Sequence, residues 1–278
     1  MAKVKKPQRQ KYKDALNSIA LVTGCFALCV TVLLNLGDII IILQTALSTF
    51  NFLSFPTTAG FKCLPQHYTT EIISIDPLLI YIQNFVNPQD IEGLLELGEN
   101  RFIPSEIYQN GQLIRNPYRS SLSAPLPSDD AAVSCVLGRA QGFLGTMLDP
   151  SADEMGVPQL VRYTAGQEYN LHHDWLRIPQ RAFDGSPRSF NRIASFFVIL
   201  QDNCTGGETW FPHVRPATSQ KWGRAEGRLW WEHEDGGLAF KPVVGNSLFW
   251  VNFLSNGTAD SRTVHAGLPV TGGLKTAM

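Results

Sequence analysis

From Leu160 onward the sequence breaks into short β-branched and aromatic runs divided by turn residues, and this limits the possible folds more than any other feature. The runs are Leu160–Trp175, Arg192–Asp202, Gly206–Phe211, Gly237–Phe253 and Ser261–Val270, punctuated by Gly-Gly, Pro and Asn-Gly. Such β-rich runs read as short strands divided by turns. Upstream, Ile72–Phe85 is apolar and β-branched around Pro77, again strand-like. Two helices lie between. Asn87-Pro88-Gln89-Asp90 is a helix start, with Ile91, Leu94, Leu95 and Leu97 as its apolar side and Gly98 as its stop. A second helix is expected over Asp129–Leu148, where Ala131, Val133, Val136, Leu137, Ala140, Phe143, Leu144 and Met147 form one wide apolar stripe. Helices followed by many short strands indicate an α+β domain with its strands in a double sheet or barrel.

The N-terminus obeys different rules. Residues 1–14 carry Lys3, Lys5, Lys6, Arg9, Lys11 and Lys13 against one acid, Asp14, and no charge then occurs from Ala15 to Leu36. A helix needs about 20 apolar residues to cross a bilayer, whereas the apolar part of a cleaved signal peptide is only about 7–15. The chain is therefore expected to divide into a basic cytosolic tail (1–14), a transmembrane anchor (15–36), an apolar stem and linker (37–64) and a folded domain (65–278). The stretch Ile39–Phe55 is also uncharged, but Gln44, Thr45, Ser48, Thr49, Asn51 and Ser54 dilute it, so one crossing is expected. Basic residues ahead of the span put the tail in the cytosol and the domain in the lumen of the endoplasmic reticulum or a later compartment. The sequons Asn203-Cys204-Thr205 and Asn256-Gly257-Thr258 fit that side of the membrane. With a formal net charge of −1 and no basic stripe beyond the tail, no nucleic acid is expected as a partner. Cys25 and Cys29 fall within the span. Cys63, Cys135 and Cys204 allow one disulfide and one free thiol, the pairing open, and the lack of CxxC spacing argues against zinc.

His172, Asp174 and His265 carry the chemistry. Residues two apart in a strand project to one face, so His172 and Asp174 can meet at a point while His173 turns away. His265, in a later strand-like stretch, can complete a set of two imidazoles and one carboxylate. This is the facial triad of non-haem Fe(II) oxygenases, which leaves two positions for a chelating 2-oxo acid and one for O2. Lys275 follows ten positions after His265, at the expected start of the next strand. A buried lysine needs an anion, and the far carboxylate of a dicarboxylate cosubstrate would be one.

The order and spacing of the surrounding residues resemble the prolyl 4-hydroxylase family of Fe(II)/2-oxoglutarate dioxygenases over Asp76–Lys275. One block is Tyr163-x-x-Gly166-Gln167-x-Tyr169-x-x-His172-x-Asp174. Next come Arg192 with the apolar strand Ile193–Leu200, and Gly206-Gly207-Glu208-Thr209-x-Phe211-Pro212. Pro242-x-x-Gly245-x-x-Leu248-x-Trp250 and Asp260-Ser261-Arg262-Thr263-Val264-His265-Ala266-Gly267-x-Pro269-Val270-x-x-Gly273-x-Lys275 complete the pattern, and Arg119-Ser120-Ser121 also fits. The resemblance implies a double-stranded β-helix (jelly-roll) with buttressing helices. It implies Fe(II) on His172, Asp174 and His265, and 2-oxoglutarate paired with Lys275 and hydrogen-bonded by Tyr163. It also implies ascorbate as the agent that keeps iron reduced, and a proline-containing peptide substrate hydroxylated at C4 with release of succinate and CO2. A dioxygenase of another residue or a small molecule, or an inactive membrane-anchored binding module, are the alternatives. The family usually continues its last strand beyond the point where this sequence stops, which would leave Lys275 near a frayed end. His173, His213 and His233 read as surface or loop histidines. Trp222, Trp230 and Trp231 read as side chains packed under a loop, or else lining a substrate groove, and Gly206-Gly207 reads as a turn.

Overall fold

The structure, a computed structural model, describes residues 60–109, 112–149, 151–181, 187–217 and 227–278. The expected tail, the membrane anchor, Trp222 and most of the stem lie outside these residues. Among the described residues no helix is long and apolar enough to cross a membrane.

Strands dominate, as the short apolar runs require. In chain order they are β1 (Thr69–Ile75), β2 (Leu78–Gln83), β3 (Ile103–Pro104), β4 (Ile107–Gln109), β5 (Gln112–Ile114), β6 (Leu122–Pro125), β7 (Gln159–Thr164), β8 (Tyr169–His172), β9 (Gln180–Arg181), β10 (Ser189–Phe190) and β11 (Ala194–Gly206). They continue with β12 (Thr209–Phe211), β13 (Trp230–Glu232), β14 (Leu238–Phe240), β15 (Ser247–Val251), β16 (His265–Gly267) and β17 (Val270–Ala277). Helix α1 (Pro88–Gly98) follows β2, and α2 (Ala131–Leu144) follows β6. A large sheet has the order β1-β2-β15-β11-β17-β7-β6-β3, and a small one the order β13-β14-β12-β16-β8. Two-residue alternation gives the large sheet two apolar faces. On β15, Phe249 packs among the helix residues Leu94, Val133 and Val136. Its neighbours Leu248 and Trp250 turn to the other side, where they meet Phe211, Trp230, Leu238 and Phe240 of the small sheet. Two cores result, one between sheet and helices and one between the sheets, in a jelly-roll-like fold.

Local chemistry sets the helix ends. Asn87 caps α1, its side chain accepting from the Asp90 N–H while the Asp90 carboxylate accepts from the Asn87 N–H, with Pro88 opening the first turn. Asp130 caps α2 by accepting from the N–H groups of Ala132 and Val133. That helix is shorter than its apolar stripe. Gly145, at φ 53°, ends it and a 3-10 turn covers Gly145–Met147. Buried Asp90 pairs with Arg139 at 2.7 Å and so fastens α1 to α2. A disulfide joins Cys63 to Cys135 on α2, leaving Cys204 free.

Trp230 and Trp231 form β13, the edge of the small sheet, and both are buried, Trp230 in the inter-sheet core. One expectation changes. Lys275 does not start a frayed strand. β17 begins at Val270, pairs with β11 on one side and β7 on the other, and extends its ladder through reciprocal bonds between Met278 and Val198.

Candidate metal centre and buried lysine

His172 and His265 stand directly opposite each other on the paired strands β8 and β16 of the small sheet. Asp174 lies two residues past His172, in a bend that begins where β8 stops. The sequence argument put it in a continuous strand; the side chains converge all the same, because the bend is fastened from outside. The Arg192 guanidinium donates to the Asp174 carbonyl at 3.2 Å, and the Asn191 side chain bonds both backbone groups of Leu176. Each imidazole Nε2 is 3.8 Å from Asp174 Oδ1, and the three candidate ligand atoms lie within 4.8 Å of one another.

The other ring atoms are committed elsewhere. His172 Nδ1 faces the Asn170 carbonyl at 2.8 Å, and His265 Nδ1 the Thr263 carbonyl at 3.0 Å. A carbonyl can only accept, so each Nδ1 carries the proton and each Nε2 keeps a lone pair for a cation. Burial, and then His265, push the His172 pKa well below the usual imidazole range, which keeps that ring neutral. Burial alone would raise the Asp174 carboxyl, but His265, His172 and the Ser195 hydroxyl outweigh it and hold the carboxyl below its ordinary value. Packing fixes the rings. Tyr169 stacks on His172 with centroids 3.5 Å apart, while Phe211 and Trp250 flank His265 at 5.1 and 4.8 Å. Two imidazoles and one carboxylate around a shared point suit a divalent first-row metal with open positions.

Lys275 and Tyr163 are cross-strand partners on β17 and β7 of the large sheet. Lys275 is 1% exposed, and its ammonium donates one hydrogen bond, to the Gly207 carbonyl at 2.6 Å. It lies 5.2 Å from the ring centres of both Tyr163 and Phe197, and no salt bridge to it occurs among the described residues. Burial pushes its pKa down to about 8. An ammonium has three donors and is costly to bury unpaired, so this one is arranged for an anion. Gly207 has a conformational reason to be glycine. Its φ is 74°, and a Cβ there would stand 2.9 Å from Val270 and 3.3 Å from the Lys275 side chain. Tyr163 is buried, hydrogen-bonds Ser121, and has its hydroxyl 3.9 Å from where a Cβ on Gly267 would sit. Gly267 is two residues beyond His265, so Tyr163 lies between the buried lysine and the histidine strand.

The structure therefore brings His172, Asp174 and His265 together and pairs Lys275 with Tyr163 on neighbouring strands of the large sheet. Sequence reasoning missed Ser195, which donates to Asp174 Oδ2 at 2.6 Å, and Asn252, which donates to Ser195 at 3.0 Å. Ser195 falls inside the quoted Arg192 block, but nothing in a lone serine marks it as a neighbour of Asp174. His173, just past β8, is half-buried and stacks on Trp175 at 4.5 Å, whereas His213 is exposed. His233 packs against Trp210 at 4.9 Å.

A family model described as the 2OG-Fe(II) oxygenase superfamily matches residues 158–278, which include all five predicted residues. The chain is 28% identical to prolyl 4-hydroxylase subunit alpha-2 of Caenorhabditis elegans over 208 residues, covering 74% of this chain and 34% of that one. It is 27% identical to prolyl 4-hydroxylase 13 of Arabidopsis thaliana over 207 residues, covering 73% and 70%. It thus spans about a third of the animal subunit and over two thirds of the plant protein. Among solved structures, the viral collagen prolyl hydroxylase of Paramecium bursaria Chlorella virus-1 aligns at 21% identity with a TM-score of 0.49, covering 72% of this chain and 92% of its own. The match to the 2OG-Fe(II) oxygenase superfamily thus takes in His172, Asp174 and His265, and the curated relatives the chain resembles are prolyl 4-hydroxylases.

Proposed function

We propose that this protein is a Fe(II)- and 2-oxoglutarate-dependent dioxygenase that hydroxylates peptidyl proline at C4. The observation that carries the reading is the pairing of a two-histidine, one-carboxylate donor set with a buried lysine that makes no salt bridge among the described residues. The family's cofactors are Fe(II) and 2-oxoglutarate, with ascorbate typical beside them. His172 Nε2, His265 Nε2 and Asp174 Oδ1 would hold the metal. When bound, iron supplies O2 activation and C–H oxidation coupled to decarboxylation of 2-oxoglutarate to succinate and CO2. The chain's own residues do the rest. Lys275 pairs with the far carboxylate of 2-oxoglutarate, and the Tyr163 hydroxyl donates a hydrogen bond to it. Phe211, Trp250 and Tyr169 hold the imidazoles in place and keep bulk water from them.

A proline-containing peptide is proposed as substrate on the similarity to prolyl 4-hydroxylases. The proposal extends to topology, with one membrane crossing at 15–36 and the domain in the lumen of the endoplasmic reticulum or a later secretory compartment. The uncharged run behind six basic residues supports the crossing. The Cys63–Cys135 disulfide and the exposed turn at Asn256 fit an oxidising, glycosylating compartment. The test is succinate release by the purified protein with proline-rich peptides, together with a peptide mass gain of one oxygen. Succinate without peptide oxidation would reject proline as the target. Absence of both would reject the enzyme.

A further inference from the structure

We infer that Ser195 and Asn252 form a positioning relay that restricts Asp174 to a single ligand oxygen and so keeps a metal position open for the cosubstrate. The inference rests on the metal-site reading above. Ser195 Oγ accepts from Asn252 Nδ2 at 3.0 Å, so its one proton is free to go to Asp174 Oδ2, at 2.6 Å. Oδ2 is thereby occupied, and Oδ1 is the oxygen that faces both histidines. A carboxylate with two free oxygens can chelate a cation and take two coordination positions. A facial triad must leave three open, two of them for a 2-oxo acid.

The direction of the relay is set by the backbone. Asn252 Nδ2 also lies 3.2 Å from the Arg192 carbonyl, which can only accept. A flipped amide would set two carbonyl oxygens against each other. The assigned orientation leaves buried Asn252 Oδ1 without a protein partner, an arrangement that favours an amide retained for its donors. Asn252 is 0% exposed, and its backbone is fastened on both sides. Its N–H donates to Ile193 O at 2.7 Å, and its carbonyl accepts from Asp260 N at 2.8 Å. The same residue therefore ties the strand carrying Ser195 to the turn that leads into His265. Through it the carboxylate and the second imidazole are held in one frame.

The test uses the detergent-solubilised full chain without turnover: Co(II) titration in the absence of O2, the visible d–d spectrum of the Co(II) form, and 2-oxoglutarate titration of that form. Ser195→Ala is expected to shift the d–d bands and to weaken 2-oxoglutarate binding tenfold or more, with the melting temperature of the metal-free protein unchanged. Ser195→Thr, which keeps the hydroxyl, is expected to restore both. Asn252→Ala is expected to move both readouts the same way as Ser195→Ala. A Ser195→Ala spectrum superimposable on wild type, with unchanged 2-oxoglutarate affinity, overturns the relay while the metal site stands. A normal Asn252→Ala spectrum beside an altered Ser195→Ala spectrum removes Asn252 from it. Wild-type protein that takes up no Co(II), or a His172→Ala variant that still does, overturns the metal reading itself and the relay with it.

Discussion

Replacing Lys275 by methionine keeps most of the side-chain volume and removes the charge. In the free protein the ammonium is 1% exposed, and its pKa falls from 10.5 to about 8 through burial. That difference corresponds to roughly 3 kcal/mol of stability forgone at pH below 8, where the buried group is charged. The unfolded chain holds this proton more tightly than the folded one. Apo stability therefore rises as pH climbs from about 8 towards 10.5, and the full penalty is present below 8. Methionine also leaves the Gly207 carbonyl unpaired, which costs about 1 kcal/mol, so Lys275→Met is expected to stabilise the metal-free protein at pH 6.5 by about 2 kcal/mol. Its effect on 2-oxoglutarate has the opposite sign. Loss of a buried charge pair with a ligand typically costs about 2–5 kcal/mol, or roughly 30-fold to several thousand-fold in affinity. In wild type that affinity should decline as pH rises through about 8, because the free lysine then loses the proton the dianion needs. The variant should show no such pH dependence. Thermal melts with and without 2-oxoglutarate, in anaerobic Mn(II) buffer from pH 6.5 to 9, read both effects. A variant melting as wild type does, with the same 2-oxoglutarate shift, would show that Lys275 is a solvated side chain and would refute the anchoring role.

Other perturbations separate metal, fold and topology. His172→Ala or His265→Ala should abolish Co(II) uptake and turnover while leaving circular dichroism intact, since neither ring carries a strand ladder; uptake persisting in either variant counts against the triad. Cys63→Ser opens a link of sequence separation 72, which predicts a loss of roughly 4 kcal/mol in chemical denaturation, whereas an unchanged midpoint would mean the link adds no stability. Asn256→Gln should remove an endoglycosidase-sensitive mass increment from protein made in a secretory cell; a domain without glycan that is digested from the cytosolic face of sealed microsomes would reject the lumenal assignment.

Much of the site was legible because its chemistry depends on residue type and spacing. His172 and Asp174 two apart, and Lys275 ten beyond His265, stand out in any reading. The helix start at Asn87 was equally plain, since its cap uses adjacent residues. What escaped was set by contacts between distant segments. β13 is only three residues long, and its two tryptophans become a strand through pairing with β14. The depth of Lys275 could not be seen either, because it follows from β7 and β11 flanking β17, not from its place near the chain's end. Asn252 and Ser195 are separated by 57 residues and carry no motif of their own.

The division of labour between the sheets explains why the parts of the site differ so much in legibility. The small sheet supplies both imidazoles, on strands β8 and β16, whereas the large sheet supplies Tyr163, Ser195 and Lys275 from β7, β11 and β17. Packed sheets stand about 10 Å apart. A short dicarboxylate held by metal at one end and by an ammonium at the other is suited to such a gap. The inter-sheet core is then more than a source of stability. Phe211 from the small sheet and Trp250 from the large one both belong to it, and both contact His265. The apolar alternation that closes the two sheets on each other therefore also orients a candidate ligand ring. Burial that drives folding in one place excludes water from the neighbouring donors in the next. Selection for a well-packed core and for a well-aimed imidazole act on the same side chains, which lets a short motif work only within this whole pattern of strands.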